Sequence, residues 1–151
     1  MSRPVIIGMN NPHSTDPDHA LTPHTEGTTG WRLWVMLASV TPVSSEGYMR
    51  RFERINLLNE TSWDPIRAGH GSQDLWTSLR GRTVLVLGAA TRNVLWLVPR
   101  PPLLWSESRG VRWCFVPHPS EFNRWYESEL NRVMVGLRLE DLYFSGSHGM
   151  V

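Results

Sequence analysis

The chain contains no lysine; all 15 of its basic residues are arginine. A Schiff-base step through a lysine amine is therefore excluded. The arginines, whether they reflect a coding bias or a binding need, supply forked donors suited to phosphate. Cysteine is almost absent too. The single one, Cys114, sits in the apolar run VRWCFV, which rules out disulfides within the chain and cysteine-ligated clusters and fits a reducing, intracellular setting. No apolar run approaches membrane-spanning length, and no basic segment leads into one, so a soluble, cytoplasmic monomer with no membrane partner is expected. Neither sign of charge dominates: 15 basic residues stand against 14 acidic ones, a formal charge of +1, and charge alone does not announce nucleic acid.

At 151 residues, 40% of them hydrophobic, the chain reads as one globular domain over 1–151 with a frayed tail at about 145–151. The run Val5-Ile6-Ile7 into Gly8 has the character of a fully buried strand. It ends on Met9-Asn10-Asn11-Pro12-His13. A loop of about sixteen residues rich in Pro, Thr, Asp and Gly follows, longer than most connections and therefore a candidate active-site loop. Thr28 or Thr29 can cap a helix over about 30–39, whose apolar face begins with Trp31, Trp34, Val35 and Leu37. A charged, helix-like stretch from Tyr48 turns into a second strand at Ile55-Asn56-Leu57-Leu58, ending on Asn59. DLWTSL reads as helix, RTVLVLGAA as the clearest buried strand, and TRNVLWLV as the helix after it, while PRPPLLW reads as a connection. A last strand, Val111 to Val116, runs into Pro117-His118-Pro119-Ser120. From Ser120, the apolar residues Phe122, Trp125, Tyr126, Leu130, Val133, Met134 and Leu137 recur at helical spacing and predict one long amphipathic helix. Trp31, Trp34, Trp125 and most of the other tryptophans read as core. Strands alternating with helices predict a parallel, four-stranded sheet in a three-layer α/β/α sandwich.

In such a sheet the carboxyl ends of the first and last strands fall on the same edge, where open α/β sheets place ligands. An amide from Asn10 or Asn11 and the imidazole of His118 then face one substrate, the amide holding a water and the imidazole donating to a developing anion. A helix beginning at Ser120 adds a phosphate site at its N-terminus. His13, Asp16, Asp18, His19 and His24 are metal-compatible residue types, but proline-interrupted spacing gives no fixed geometry and the loop reads as polar and solvated; no metal is expected. Gly88-Ala89-Ala90 lacks the lysine of a phosphate loop and the further glycines of a dinucleotide fingerprint, so no cofactor is expected either.

These residues resemble the motifs of the uracil-DNA glycosylase superfamily, especially its mismatch-specific and single-strand-selective branches. IIGMNNP is similar to the first motif, Gly-(Ile/Met)-Asn-Pro-Gly, and VPHPSEFNRWY to the second, His/Asn-Pro-Ser. GTTGWRLWVML, INLLN and GRTVLVLGAATRNVL resemble the intervening helix and strands, in the right order over residues 4 to 136. The resemblance implies a glycosylase-type fold and hydrolysis of an N-glycosidic bond in DNA by nucleotide flipping, with single- or double-stranded DNA as partner. It implies that Asn10 positions the hydrolytic water, that His118 stabilises charge on the departing base, and that Phe122 is a wedge filling the place of the flipped nucleotide, first-turn core packing being the alternative. Gly8, Met9, Asn11, Pro12, His13, Leu21, Asn59, Pro119, Ser120 and Arg124 are the implied substrate and DNA contacts.

The chain also departs from that pattern. Asn10-Asn11-Pro12-His13 stands where the family has Asn-Pro-Gly, so either asparagine can hold the water, and His13 replaces a glycine that lets backbone approach the base. Ala20-Leu21 occupies the place of the family's stacking aromatic, leaving room for a bulkier or modified base. A glycosylase-fold protein that binds DNA or a modified base without cutting, and an enzyme of small nucleosides, are the alternatives.

Overall fold

The computed structural model describes residues 2–145; the expected frayed tail falls, but for Ser145, outside them. Five strands form one sheet in the order β2-β1-β3-β5-β4. β1 is Val5–Asn10, β2 Glu53–Leu58, β3 Thr83–Leu87, β4 Trp105–Ser108 and β5 Val111–Val116. The first three and β5 run parallel, as expected, with Ile7 beside Ile55 and Val86, and Val86 beside Phe115. β4 is antiparallel to β5, so the sheet has five strands rather than four. The missed strand is short and only half-buried, with no apolar alternation to betray it, and Trp105 lies under the Arg112 guanidinium, 4.5 Å from its ring centre. Its turn, Arg109-Gly110, has positive φ at both positions (52° and 79°), the geometry of a tight two-residue hairpin.

Strand alternation divides the core between two faces. Ile6, Leu85, Leu87, Cys114 and Val116 point to one side, where they meet α1 (Thr29–Ala38), α2 (Ser45–Arg51) and α6 (Glu129–Phe144) through Leu33, Leu37, Tyr48, Val135 and Leu139. Val5, Ile7, Val84, Val86, Trp113 and Phe115 point to the other, packing on Trp76 and Leu79 of α4 and its end (Ser72–Ser78) and on Leu95 and Leu97 after α5 (Ala89–Val94). A short helix α3, Pro65–Gly69, capped by Asp64, follows β2. Burial on both faces explains why β1, β3 and β5 read as largely apolar runs.

The long helix expected from Ser120 does not form. Asn123 accepts from the Trp125 amide at 3.1 Å and donates to the His118 carbonyl at 3.0 Å, capping a 3-10 turn over Arg124–Glu127. Ser128 is extended, and its hydroxyl accepts from the Asn131 amide to start α6 at Glu129. Side chains that bond the backbone locally have interrupted an otherwise helical pattern. The buried stripe of α6 is Val135, Gly136, Leu139 and Leu142, whereas Leu130 and Val133 are exposed. Gly136 is small because a Cβ there would stand 2.5 Å from the Met36 carbonyl oxygen of α1. Among the tryptophans, Trp76 and Trp113 are core, Trp31, Trp34 and Trp125 are half-buried, and Trp96 is 77% exposed.

Candidate functional site

The carboxyl edge of β1 and β5 opens into a cleft of about 690 Å³. Met9, Asn10, Asn11, Pro12 and His13 line it from β1, and His118, Ser120 and Phe122 from β5. Leu21 closes it from the long loop and Asn56 from β2. The sequence-predicted strand ends therefore do converge.

The two asparagines play different parts. Asn10 Nδ2 donates to the carbonyls of Glu60 and Thr61, both at 3.0 Å. With its two N–H groups engaged, Oδ1 is an oriented acceptor at the cleft wall with no donor among the described residues, suited to holding a water. Asn11 is occupied at both ends: Oδ1 accepts from the His13 amide at 2.9 Å, and Nδ2 donates to the His19 carbonyl at 3.3 Å. It shapes the loop.

That loop is fixed from below. The Tyr48 hydroxyl, fully buried, donates to the Leu21 carbonyl at 2.9 Å, and Arg54 donates to the Ala20 carbonyl at 2.7 Å. Gly30, at the start of α1, is where the loop presses on the helix: a Cβ there would lie 2.3 Å from the Leu21 carbonyl. Leu21 itself has φ 53°, a left-handed backbone held by these contacts.

Across the cleft, the ring of His118 makes no hydrogen bond with any described group, while its carbonyl accepts from Ser120 N and Asn123 Nδ2. Burial holds its pKa below the ordinary histidine value, so at neutral pH it is an uncharged imidazole with one N–H to give. Its close neighbour is Gly88, at φ 87°, where a Cβ would come 3.1 Å from the His118 Cβ. Glycine there satisfies both a left-handed backbone and the space that the imidazole needs.

Asn56 was not among the predicted residues. It pairs with Gly8 across β1 and β2, is 8% exposed, and its Oδ1 has no hydrogen-bond partner among the described groups. Gly8 lines no part of the cleft; it makes room for this amide, since a Cβ at Gly8 would lie 2.8 Å from that oxygen. A buried amide oxygen without a partner is costly, roughly 1–3 kcal/mol; this one is packed against Gly8, while the residue itself lines the cleft. An asparagine inside the apolar run Ile55-Asn56-Leu57-Leu58 was the sequence signal. Asn59, the predicted residue, is exposed and lies outside the cleft lining: three residues past Asn56, it has already left the strand.

The remaining expectations divide. Phe122 is 85% exposed at the cleft rim, which removes the core-packing alternative. Ser120 lines the cleft but begins no helix, so the helix-terminus phosphate site is lost with the helix. Pro119 is buried and faces a neighbouring hollow of about 260 Å³. Arg124 is exposed, 3.7 Å from Glu127, and outside the cleft lining. Among the described residues no group of three or more His, Cys, Asp or Glu side chains is placed to hold a metal. No described helix is long and apolar enough to cross a membrane. Burial pushes the Cys114 thiol up to about 12, so it is no nucleophile.

Neither the protein-family models nor the curated proteins compared with this chain give a match.

Proposed function

We propose that the chain is a monofunctional DNA glycosylase, hydrolysing the N-glycosidic bond of a uracil-like or modified base that has been flipped out of DNA. The observation that carries this reading is the pairing, across one cleft, of an oriented acceptor (Asn10 Oδ1) with a neutral, unpartnered imidazole (His118). A glycosidic substrate needs both: a held water on one side of the sugar carbon, and on the other a donor for the negative charge that develops on the departing base. The Asn56 Nδ2 donors would read an acceptor on the base edge, in the manner of Watson–Crick-edge recognition of flipped bases, the Oδ1 being packed against Gly8. Phe122, exposed at the rim, would enter the stack that the base vacates. The motif resemblance of Gly8-Met9-Asn10 and His118-Pro119-Ser120 points the same way.

Incubation with oligonucleotides bearing uracil, hydroxymethyluracil and other modified bases, followed by alkali, tests the reading. Strand scission at one modified base is expected. Tight binding without scission would favour a base-binding protein of the same fold, and release of base only from free nucleosides would favour a small-molecule hydrolase.

A further inference from the structure

None of the groups given a role so far accepts a proton from the attacking water; His13 and Glu121, which faces Arg32 at 3.9 Å, also line the cleft, and no hydrogen bond joins either side chain to a described strand-end residue. An amide oxygen orients a water without deprotonating it, and His118 is assigned to the leaving base. The loop after β1 carries a candidate that neither the motifs nor the proposed roles account for. The Ser14 hydroxyl lies 2.8 Å from Nδ1 of His19, and Nε2 of His19 lies 3.6 Å from the Asp16 carboxylate. Ser14 and His19 both line the cleft. Asn11, adjacent to the water-holding Asn10, binds the His19 carbonyl and so brings this part of the loop back to the strand end.

The Ser14–His19 contact is a hydrogen bond whose direction follows the imidazole tautomer, and the Asp16 carboxylate, at 3.6 Å, lies just beyond hydrogen-bond length. A carboxylate only accepts, so the relay uses the tautomer with the proton on Nε2, on the Asp16 side, and Nδ1 bare to accept from Ser14. The Asp16 amide donates to Ser14 Oγ at 3.1 Å, which aligns the hydroxyl and stabilises negative charge on it. This is the logic of a hydroxyl–imidazole–carboxylate relay, built within six residues of one loop.

We propose that Ser14, His19 and Asp16 form a proton relay that takes the proton of the hydrolytic water, an inference that rests on the glycosylase reading. The water oxygen bonds to the sugar carbon as the carbon–nitrogen bond breaks, and the bond's electron pair leaves with the base. The water's proton passes to Ser14 Oγ while the hydroxyl's own proton moves to His19 Nδ1. The resulting imidazolium faces Asp16 and is neutralised when it returns a proton to solvent or to the released base. The other titratable and charged groups of the loop and cleft are His13 and Asp18 of the same loop, Arg54 of β2, which donates to the carbonyls of Asp18 and Ala20, and His118 and Glu121 of the cleft lining.

Single-turnover excision across pH 5 to 9, on whichever oligonucleotide the parent cuts, provides the test. The parent rate should fall on the acidic side, since a relay that runs through an imidazole needs it unprotonated. His19→Gln should lose about a hundredfold, as removal of a general base does, should flatten that acidic limb, and should recover in part with added imidazole. Asp16→Asn, which keeps the turn to the Asp18 amide, removes the carboxylate that faces Nε2 and should lower the rate less than His19→Gln does. A His19→Gln protein with the parent's rate and profile overturns the relay, as does a loss with an unaltered acidic limb and no imidazole rescue, which would make His19 structural. Excision by the parent with either of those results leaves the glycosylase reading standing; a parent that excises nothing removes both.

Discussion

The two walls of the cleft are built on opposite plans. The loop after β1 is long, polar and strained, yet it is anchored: a buried tyrosine, a guanidinium and a helix that starts on glycine hold the backbone from Ala20 to Thr22. The segment after β5 is short and proline-rich, and it sends Phe122 into solvent and an unpartnered imidazole into the cleft. One wall stores order in backbone contacts with the core; the other spends little on stability and exposes its chemistry. Substitutions where the first wall is anchored, from Ala20 to Thr22 and the groups that hold it, should therefore act mainly through the fold, and those in the second wall mainly through activity.

The largest effect on activity belongs to the second wall. His118→Ala should lower excision at least a hundredfold, about 3 kcal/mol of transition-state stabilisation, with a melting temperature close to the parent's; an equal single-turnover rate would remove His118 from the mechanism. Asn10→Ala should likewise cost more rate than Asn11→Ala, whose damage should be to loop order.

In the first wall, Gly30→Ala forces a methyl group to within 2.3 Å of the Leu21 carbonyl, and the overpacking should cost about 1–3 kcal/mol of stability. Tm should fall by several degrees, at roughly 2–4 °C per kcal/mol for a chain of this size. An unchanged melting curve would show that the loop is not fixed where it meets α1. Tyr48→Phe should cost about 1–2 kcal/mol by leaving the Leu21 carbonyl without its buried donor, measurable by chemical denaturation.

The His118 pKa gives the comparison a pH dependence. Because burial lowers it in the fold, the unfolded chain binds a proton more readily, and stability must fall as pH drops below the ordinary histidine pKa, about 6.5, towards the folded one. Above that window the group contributes no slope. Denaturation at pH 5.5 and pH 7.5 should show a loss at the lower pH that shrinks in His118→Gln; an undiminished loss would assign the dependence to other groups. Smallest of all is the stability effect of Phe122→Ala. With 85% of the side chain exposed, the change should stay within about 0.5 kcal/mol, while excision from duplex DNA falls and excision from single strands does not. A large fall in Tm would put Phe122 back in the core.

Sequence alone determined the parallel core of this protein. Val5-Ile6-Ile7, RTVLVL and VRWCFV are apolar on both faces because helices cover both, and that burial is written in composition wherever the strand lies. The strand-end chemistry at Asn10 and His118 was legible for a related reason: polar residues directly after a buried strand stand at the sheet edge by construction. Only the tertiary structure decided what lay outside periodic patterns. β4 is an edge strand with little to bury, so nothing in its composition announced it. The helix expected at Ser120 was lost to the bonds of Asn123 and Ser128 with the neighbouring backbone, and hydrophobic spacing does not register them. The choice of Asn56 over Asn59 depended on register beside Gly8, and the separate duties of Asn10 and Asn11 on which carbonyls and amides the folded loop brings within reach. Those are relations between residues far apart in the chain, and geometry has to set them before a side chain acquires a role.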